Sequence, residues 1–158
     1  MRLQDKICNL NQLEQKVHQW RQHGKKIVFT NGCFDLLHAG HLHLLHQARS
    51  YGDVLIVGLN ADASVRRLKP GRPLVAENDR LQHLAALEAV DAVILFHEDT
   101  PLALIERIRP DVLVKGADYR PEEVIGRDLV HAYGGTVALV PLLPGYSTTA
   151  LIERIKKT

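Results

Sequence analysis

"KKIVFTNGCFDLLHAGHLHLLHQARSYGDVLIVGLN", residues 25–60, decides the fold of this chain. It opens with a short apolar run, residues 25–30, that breaks at Asn31-Gly32. Residues 39–52 read as a helix that stops at Gly52. Residues 53–60 are apolar almost without interruption, as strands covered on both faces are. Strand, turn, helix and strand in this order make a parallel βαβ unit.

The alternation continues on both sides of this unit. Downstream, "ENDRLQHLAALEAV" (77–90) places Leu81, Leu84, Ala85 and Leu87 on one helical face, and residues 91–96 form a third strand. "TPLALIERIRP" (100–110) is a short helix with proline in its first turn, followed by a fourth strand at 111–116. A helix at 127–135, a fifth strand at 136–141 and a last helix at 147–157, opened by hydroxyl residues, complete the series. Upstream, Leu10, Leu13, Val17 and Trp20 recur at helical spacing before Gly24, so residues 1–24 are a helical lead-in whose apolar stripe belongs to the core. The expectation is one domain over residues 1–158 with five parallel strands covered by helices on both faces. Ligands in such a sheet sit beyond the C-terminal ends of the strands, which is where Asn31-Gly32 falls.

Composition narrows the function. The chain has 158 residues, 46% hydrophobic and 24% charged, as a globular domain does. A formal net charge of +2 argues against a nucleic-acid or membrane-surface partner. No stretch approaches the roughly 20 apolar residues of a membrane span, and residues 1–20 lack the apolar core of a secretory signal. Cys8 and Cys33 are far apart and form no CxxC pair, which speaks against a disulfide framework or a cysteine zinc site and for the reducing cytoplasm.

The familiar phosphate and hydrolase motifs, GxxxxGK[ST], GxGxxG and GxSxG, are missing. What remains converges on anionic oxygen. Thr30, Asn31, Gly32, Cys33 and Phe34 follow strand one, where Gly32 permits a close backbone approach. His38 and His41 share one face of the next helix's first turn, whose N–H groups favour an anion, and Gly40 between them leaves room. Lys115-Gly116 ends strand four on the same rim, and Ser147, Thr148 and Thr149 open the last helix. Together these segments form a polyphosphate cradle. A zinc pair at His38 and His41 lacks the third ligand of a His-x-x-x-His set, and His43 and His46 read as solvated or packing residues.

Several segments carry a family resemblance. "GCFDLLHAGH" resembles the HxGH motif of nucleotidyltransferases and "GYSTT" their C-terminal serine/threonine motif. With "LNADASVRRLK", "ALEAVDAV" and "EDTPLALIERIRPDVLVKGADY", the chain resembles the D-glycero-β-D-manno-heptose 1-phosphate adenylyltransferases over about residues 24–156. That family also occurs as the C-terminal half of a bifunctional ADP-heptose synthase. The resemblance implies a Rossmann-like doubly wound α/β nucleotidyltransferase fold with strand order 3-2-1-4-5. It implies AMP transfer from ATP to the sugar 1-phosphate for lipopolysaccharide core, with Mg²⁺ held mainly by phosphates and no dedicated metal ligands.

Residue by residue, it gives His38, His41 and Lys115 to catalysis. It places Thr30 to Phe34, Gly40, Arg80, Gly116 and Ser147 to Thr149 at ATP, and Asp35 and Asp62 at the sugar hydroxyls. Arg66, Arg67 and Lys69 go to the triphosphate or the sugar phosphate. "VRRLKPGR" reads as a loop with four positive charges, either merely solvated or a lid over phosphates. Asp62 suits a helix cap as well as a sugar contact. Ala117 stands where a second glycine is commoner, and Leu44 where tyrosine is frequent. A homodimer and a separate upstream sugar kinase are further expectations. Two rivals remain: a cytidylyltransferase for a small phosphorylated alcohol, and a non-catalytic nucleotide sensor.

Overall fold

The computed structural model describes residues 1–158. Five strands, β1 (Ile27–Gly32), β2 (Val54–Asn60), β3 (Ala92–Phe96), β4 (Val112–Gly116) and β5 (Thr136–Val140), form one parallel sheet in the order β3-β2-β1-β4-β5. The helices are α1 (Leu3–Lys6), α2 (Leu10–Gln22), α3 (Ala39–Arg49), α4 (Asp62–Leu68), α5 (Glu77–Ala85), α6 (Leu102–Ile108), α7 (Arg127–Ala132) and α8 (Thr148–Lys156).

Strand alternation splits the core into two layers. Ile27 and Phe29 of β1 face one side, where Leu13 and Val17 of α2, Ile105 of α6 and Val130 of α7 cover them. Val28 faces the other, against Leu45 of α3 and Leu81 and Leu84 of α5. Each such fully buried side chain contributes roughly 1.5–3 kcal/mol. The Leu10/Leu13/Val17/Trp20 stripe packs on the first layer. Helix α8 contributes no buried residue to either layer.

Register is pinned at the N-terminal rim by three aspartates that precede strands. Asp53 accepts the Lys26 N–H at 2.7 Å, Asp91 the Leu55 N–H at 2.7 Å, and Asp111 the Ile27 N–H at 2.8 Å. A one-residue slip would break all three bonds and turn each strand's apolar set to the wrong layer.

The opposite rim is open. β1 pairs with β2 along its whole length but with β4 only at Val28 and Phe29, so β1 and β4 part beyond Phe29. Strand order reverses between these two strands, and that crevice is where an open α/β sheet holds its ligand. β1 also runs two residues further than the apolar run, because Asn31 and Gly32 remain paired with Gly58 and Leu59. A second difference is α4: Val65 to Leu68 of the expected loop are helical, and only residues 69–76 join α4 to α5.

Candidate active site

Where β1 and β4 part, side chains replace the missing ladder. The Thr30 hydroxyl, fully buried, donates to the Val114 carbonyl at 2.8 Å. Lys115 Nζ lies 3.3 Å from the Asn31 carbonyl and 3.4 Å from its Oδ1, above the Tyr119 ring. Burial holds the Lys115 pKa below the ordinary lysine value, with Lys69 adding to the shift and Asp118 and Cys33 opposing it.

The chain then turns through Phe34, whose φ of +44° is left-handed. For a side chain of this size that costs about 1–2 kcal/mol, offset by burial of the ring in the second core layer. A Cβ on Gly32 would stand 2.9 Å from that ring, so glycine is required there.

His38 caps α3 in an unusual way. Its Nδ1 accepts the N–H groups of Gly40 at 3.1 Å and His41 at 3.4 Å, while His41 Nδ1 accepts the His38 N–H at 3.4 Å. The rings stack with centroids 3.8 Å apart. The expectation that first-turn amides meet the anion is corrected here, since the amides of residues 40 and 41 are taken by imidazole. An accepting Nδ1 leaves each proton on Nε2, so the amide donors are exchanged for two imidazole N–H donors. Burial lowers the His38 pKa. Burial first, then the charges of His38 and Lys69, push His41 down to about 4 against the opposing Leu36 carbonyl. Both rings are therefore neutral donors at pH 7.

A cavity of about 170 Å³ opens beside His41 and Lys115, and His38 is not in its wall. Thr30 to Asp35, His41, Lys69, Lys115, Gly116 and Thr148 all line it. A second cavity of about 280 Å³ lies toward β2 and β3, against Asn60, Asp99 and Thr100. Lys69, Lys115 and Tyr119 belong to the walls of both. Gly116 lets Asp118 and Leu142 close the first cavity, since a Cβ would meet each at 2.9 Å. Gly40 likewise admits the His38 ring and Tyr146 Cβ, which fill the room expected for a ligand. Ser147 caps α8 by accepting the Ala150 N–H at 2.9 Å, and the Thr148 hydroxyl donates to the Leu36 carbonyl at 3.3 Å. Leu44 lines the first cavity, and Ala117 is exposed.

Five of the expected contact residues are engaged by other protein groups or lie away from the cavity walls. Arg80 has no exposed surface, and its guanidinium donates to the carbonyls of Val75, Cys33 and Asn60 and to Asp62 Oδ1 at 2.7 Å. With its donors committed inside the protein, it is a strut and not an ATP contact. Asp35, buried, accepts the N–H groups of Leu74 and Val75, each at 2.9 Å, so it anchors the α4–α5 loop. Asp62 begins α4 without capping it and pairs with Arg80. Arg67 pairs with Asp99 at 2.8 Å, and Arg66 is exposed and lines neither cavity.

The residue that sequence reasoning did not single out is Arg72. It lines the first cavity and donates to Thr149 Oγ1 at 3.0 Å. The four-charge loop was the available signal. Asp118 and Tyr119 lie in the "KGADY" stretch but were given no role, and Leu142 gave no signal because it comes from an irregular segment.

Imidazole and ammonium donors stand around paired cavities at the switch point of a doubly wound sheet, an arrangement that suits phosphate groups. The chain belongs to the cytidylyltransferase-like family, whose sequence model matches residues 29–154. It is 59% identical over 152 residues to the bifunctional protein HldE of Magnetococcus marinus, covering 96% of this chain and 31% of that protein. With HldE of Syntrophotalea carbinolica the identity is 60% over 136 residues, 85% of this chain and 28% of the relative. The chain thus spans about a third of the length of these curated relatives. Among solved structures, a lipopolysaccharide core biosynthesis protein from Thermoplasma volcanium superposes with a TM-score of 0.63 at 32% identity, over 76% of this chain and 98% of that one. A pantoate-beta-alanine ligase from Francisella tularensis shares the fold, with a TM-score of 0.60 at 18% identity, over 96% of this chain and 79% of that one.

Proposed function

We propose that the chain transfers AMP from ATP to D-glycero-β-D-manno-heptose 1-phosphate, giving ADP-heptose and pyrophosphate for lipopolysaccharide core. The observation that carries this reading is the pair of cavities sharing Lys69 and Lys115 in their walls, which suits two phosphorylated substrates meeting at two cations. The cavity beside His41 and Thr148 takes the nucleotide, and the one beside Asn60, Asp99 and Thr100 takes the sugar phosphate. The choice of heptose and ATP rests on the motif resemblance and on the HldE and lipopolysaccharide-core relatives.

The chemistry asks little covalent work of the protein. The acceptor phosphate is largely ionised at neutral pH, its second pKa being about 6, so no general base is needed. An acceptor oxygen forms a bond to the α-phosphorus, the bond from that phosphorus to the bridging oxygen breaks, and the electron pair leaves with pyrophosphate. The Nε2–H groups of His38 and His41 donate to phosphate oxygens, and Lys115 supplies positive charge where it develops. Mg²⁺ would take its ligands mainly from nucleotide phosphates and water, as is usual for that ion. No helix is long and apolar enough to cross a membrane. A cytoplasmic setting, an upstream sugar kinase supplying the substrate and a homodimer complete the proposal.

The family description favours a second reading, a cytidylyl donor with a small phosphorylated alcohol. Pyrophosphate release with Mg²⁺, the heptose 1-phosphate and either ATP or CTP, with product mass, separates them. ADP-heptose from ATP is the expected result, and turnover with CTP alone overturns the base.

A further inference from the structure

The loop between α4 and α5 is firmly held at one end and latched at the other. Its base is fixed where Asp35 takes the amides of Leu74 and Val75 and Arg80 Nε donates to the Val75 carbonyl at 2.8 Å. Near its middle, Arg72 Nη2 donates to Thr149 Oγ1 at 3.0 Å, joining the loop to the start of α8 across the cavity. Thr148 fixes that helix start to the loop between β1 and α3 through the Leu36 carbonyl. Arg72 forms no ion pair. Its acceptor is a neutral hydroxyl, which binds a guanidinium more weakly than a phosphate oxygen does.

Position decides which phosphate it would take. The α-phosphorus must be reached from both cavities, which places it beside Lys69 and Lys115, the cations common to the two walls. Arg72 lines the cavity of His41 and Thr148 and not the second one. A guanidinium set apart from the shared lysines suits the β- and γ-phosphates. Resting on the nucleotidyl-transfer reading above, we propose that Arg72 grips the leaving pyrophosphate. Nucleotide binding exchanges its Thr149 contact for β,γ-phosphate oxygens and draws the loop over the cavity. As the bond between the α-phosphorus and the bridging oxygen breaks, the electron pair passes to pyrophosphate, and the guanidinium balances the added charge without giving up a proton.

Calorimetry on the intact chain with Mg²⁺ tests this, using inorganic pyrophosphate and the nucleoside monophosphate of whichever base the enzyme uses. Arg72→Ala should weaken pyrophosphate by about 10–100-fold, as loss of a charge-assisted hydrogen bond does, and leave the monophosphate within about twofold. Arg72→Lys should recover part of the affinity. Arg72→Gln can still donate to Thr149 and hold the loop, and thermal unfolding checks that it does. It should nevertheless bind pyrophosphate as weakly as the alanine variant. Wild-type pyrophosphate affinity in Arg72→Gln, or equal weakening of the monophosphate, overturns the assignment. Pyrophosphate carries neither base nor sugar, so a failure to form ADP-heptose counts against the proposed reaction alone.

Discussion

The two rims of the sheet use similar side chains to opposite ends. At the N-terminal rim, Asp53, Asp91 and Asp111 are satisfied by backbone amides, and Arg49 and Arg21 sit 3.1 Å and 3.9 Å from Asp91 and Asp111. At the C-terminal rim, Asp35, Asp62 and Arg80 are drawn inward as struts, while Lys69, Arg72 and Lys115 form no ion pair. One rim is closed electrostatically and the other is left cationic. A surplus of unmatched charge is tolerated where water or a ligand can answer it, and a polyphosphate answers it best.

The contrast can be broken from either side. The largest effect expected is on stability, from the strut of the functional rim. Arg80→Met leaves three carbonyls and Asp62 without their donor and should cost about 3–5 kcal/mol in urea unfolding. A stable variant with raised KM for ATP would instead return Arg80 to the nucleotide. Next comes His41→Ala, which should lower kcat by about 10²–10³-fold, as loss of one positioned donor does, while ATP affinity changes far less. Altered binding with no turnover in the wild type would favour the sensor reading.

At the closed rim, Asp91→Ala removes the acceptor of the Leu55 N–H and should cost about 1–3 kcal/mol in the same unfolding measurement, with KM values unchanged. Smallest of all is Arg107→Ala. Its exposed pair with Glu14 should matter by less than about 1 kcal/mol and leave turnover alone, despite the short 2.6 Å distance.

Acid sharpens the same comparison. His41 resists protonation down to about 4 in the folded chain, against 6.5 for an ordinary histidine. Between these values the unfolded chain binds the extra proton, so the stability due to neutral His41 is complete above about pH 6.5 and declines as pH falls toward 4. His41→Gln should flatten that limb of the unfolding profile. An unchanged slope would show that the imidazole pair is not held neutral.

Most of the architecture was legible in the chain because buried parallel strands are nearly continuous apolar runs. Asp62 to Leu68 escaped notice as a helix, since two arginines and a nearby Pro-Gly resemble a loop and only Val65 and Ser64 of that turn are buried. Chemistry and spacing marked His41 and Lys115, which line the first cavity. The internal partners of Arg80 and Asp35 were not legible, because charge in a sequence does not reveal whether a partner waits inside.

The sequence alone therefore determined the βαβ order, the cradle at the end of β1 and the family to which its motifs point. The first two follow from periodicity and local residue chemistry, and the third from the resemblance of its motifs. The tertiary structure alone decided that His38 and His41 trade amide donors for imidazole donors. It also decided that Arg80 and Asp35 are internal struts, and that Arg72 reaches the start of α8 from a loop 77 residues away in the chain. Those outcomes depend on which distant groups burial brings together, and burial is a property of the packed chain.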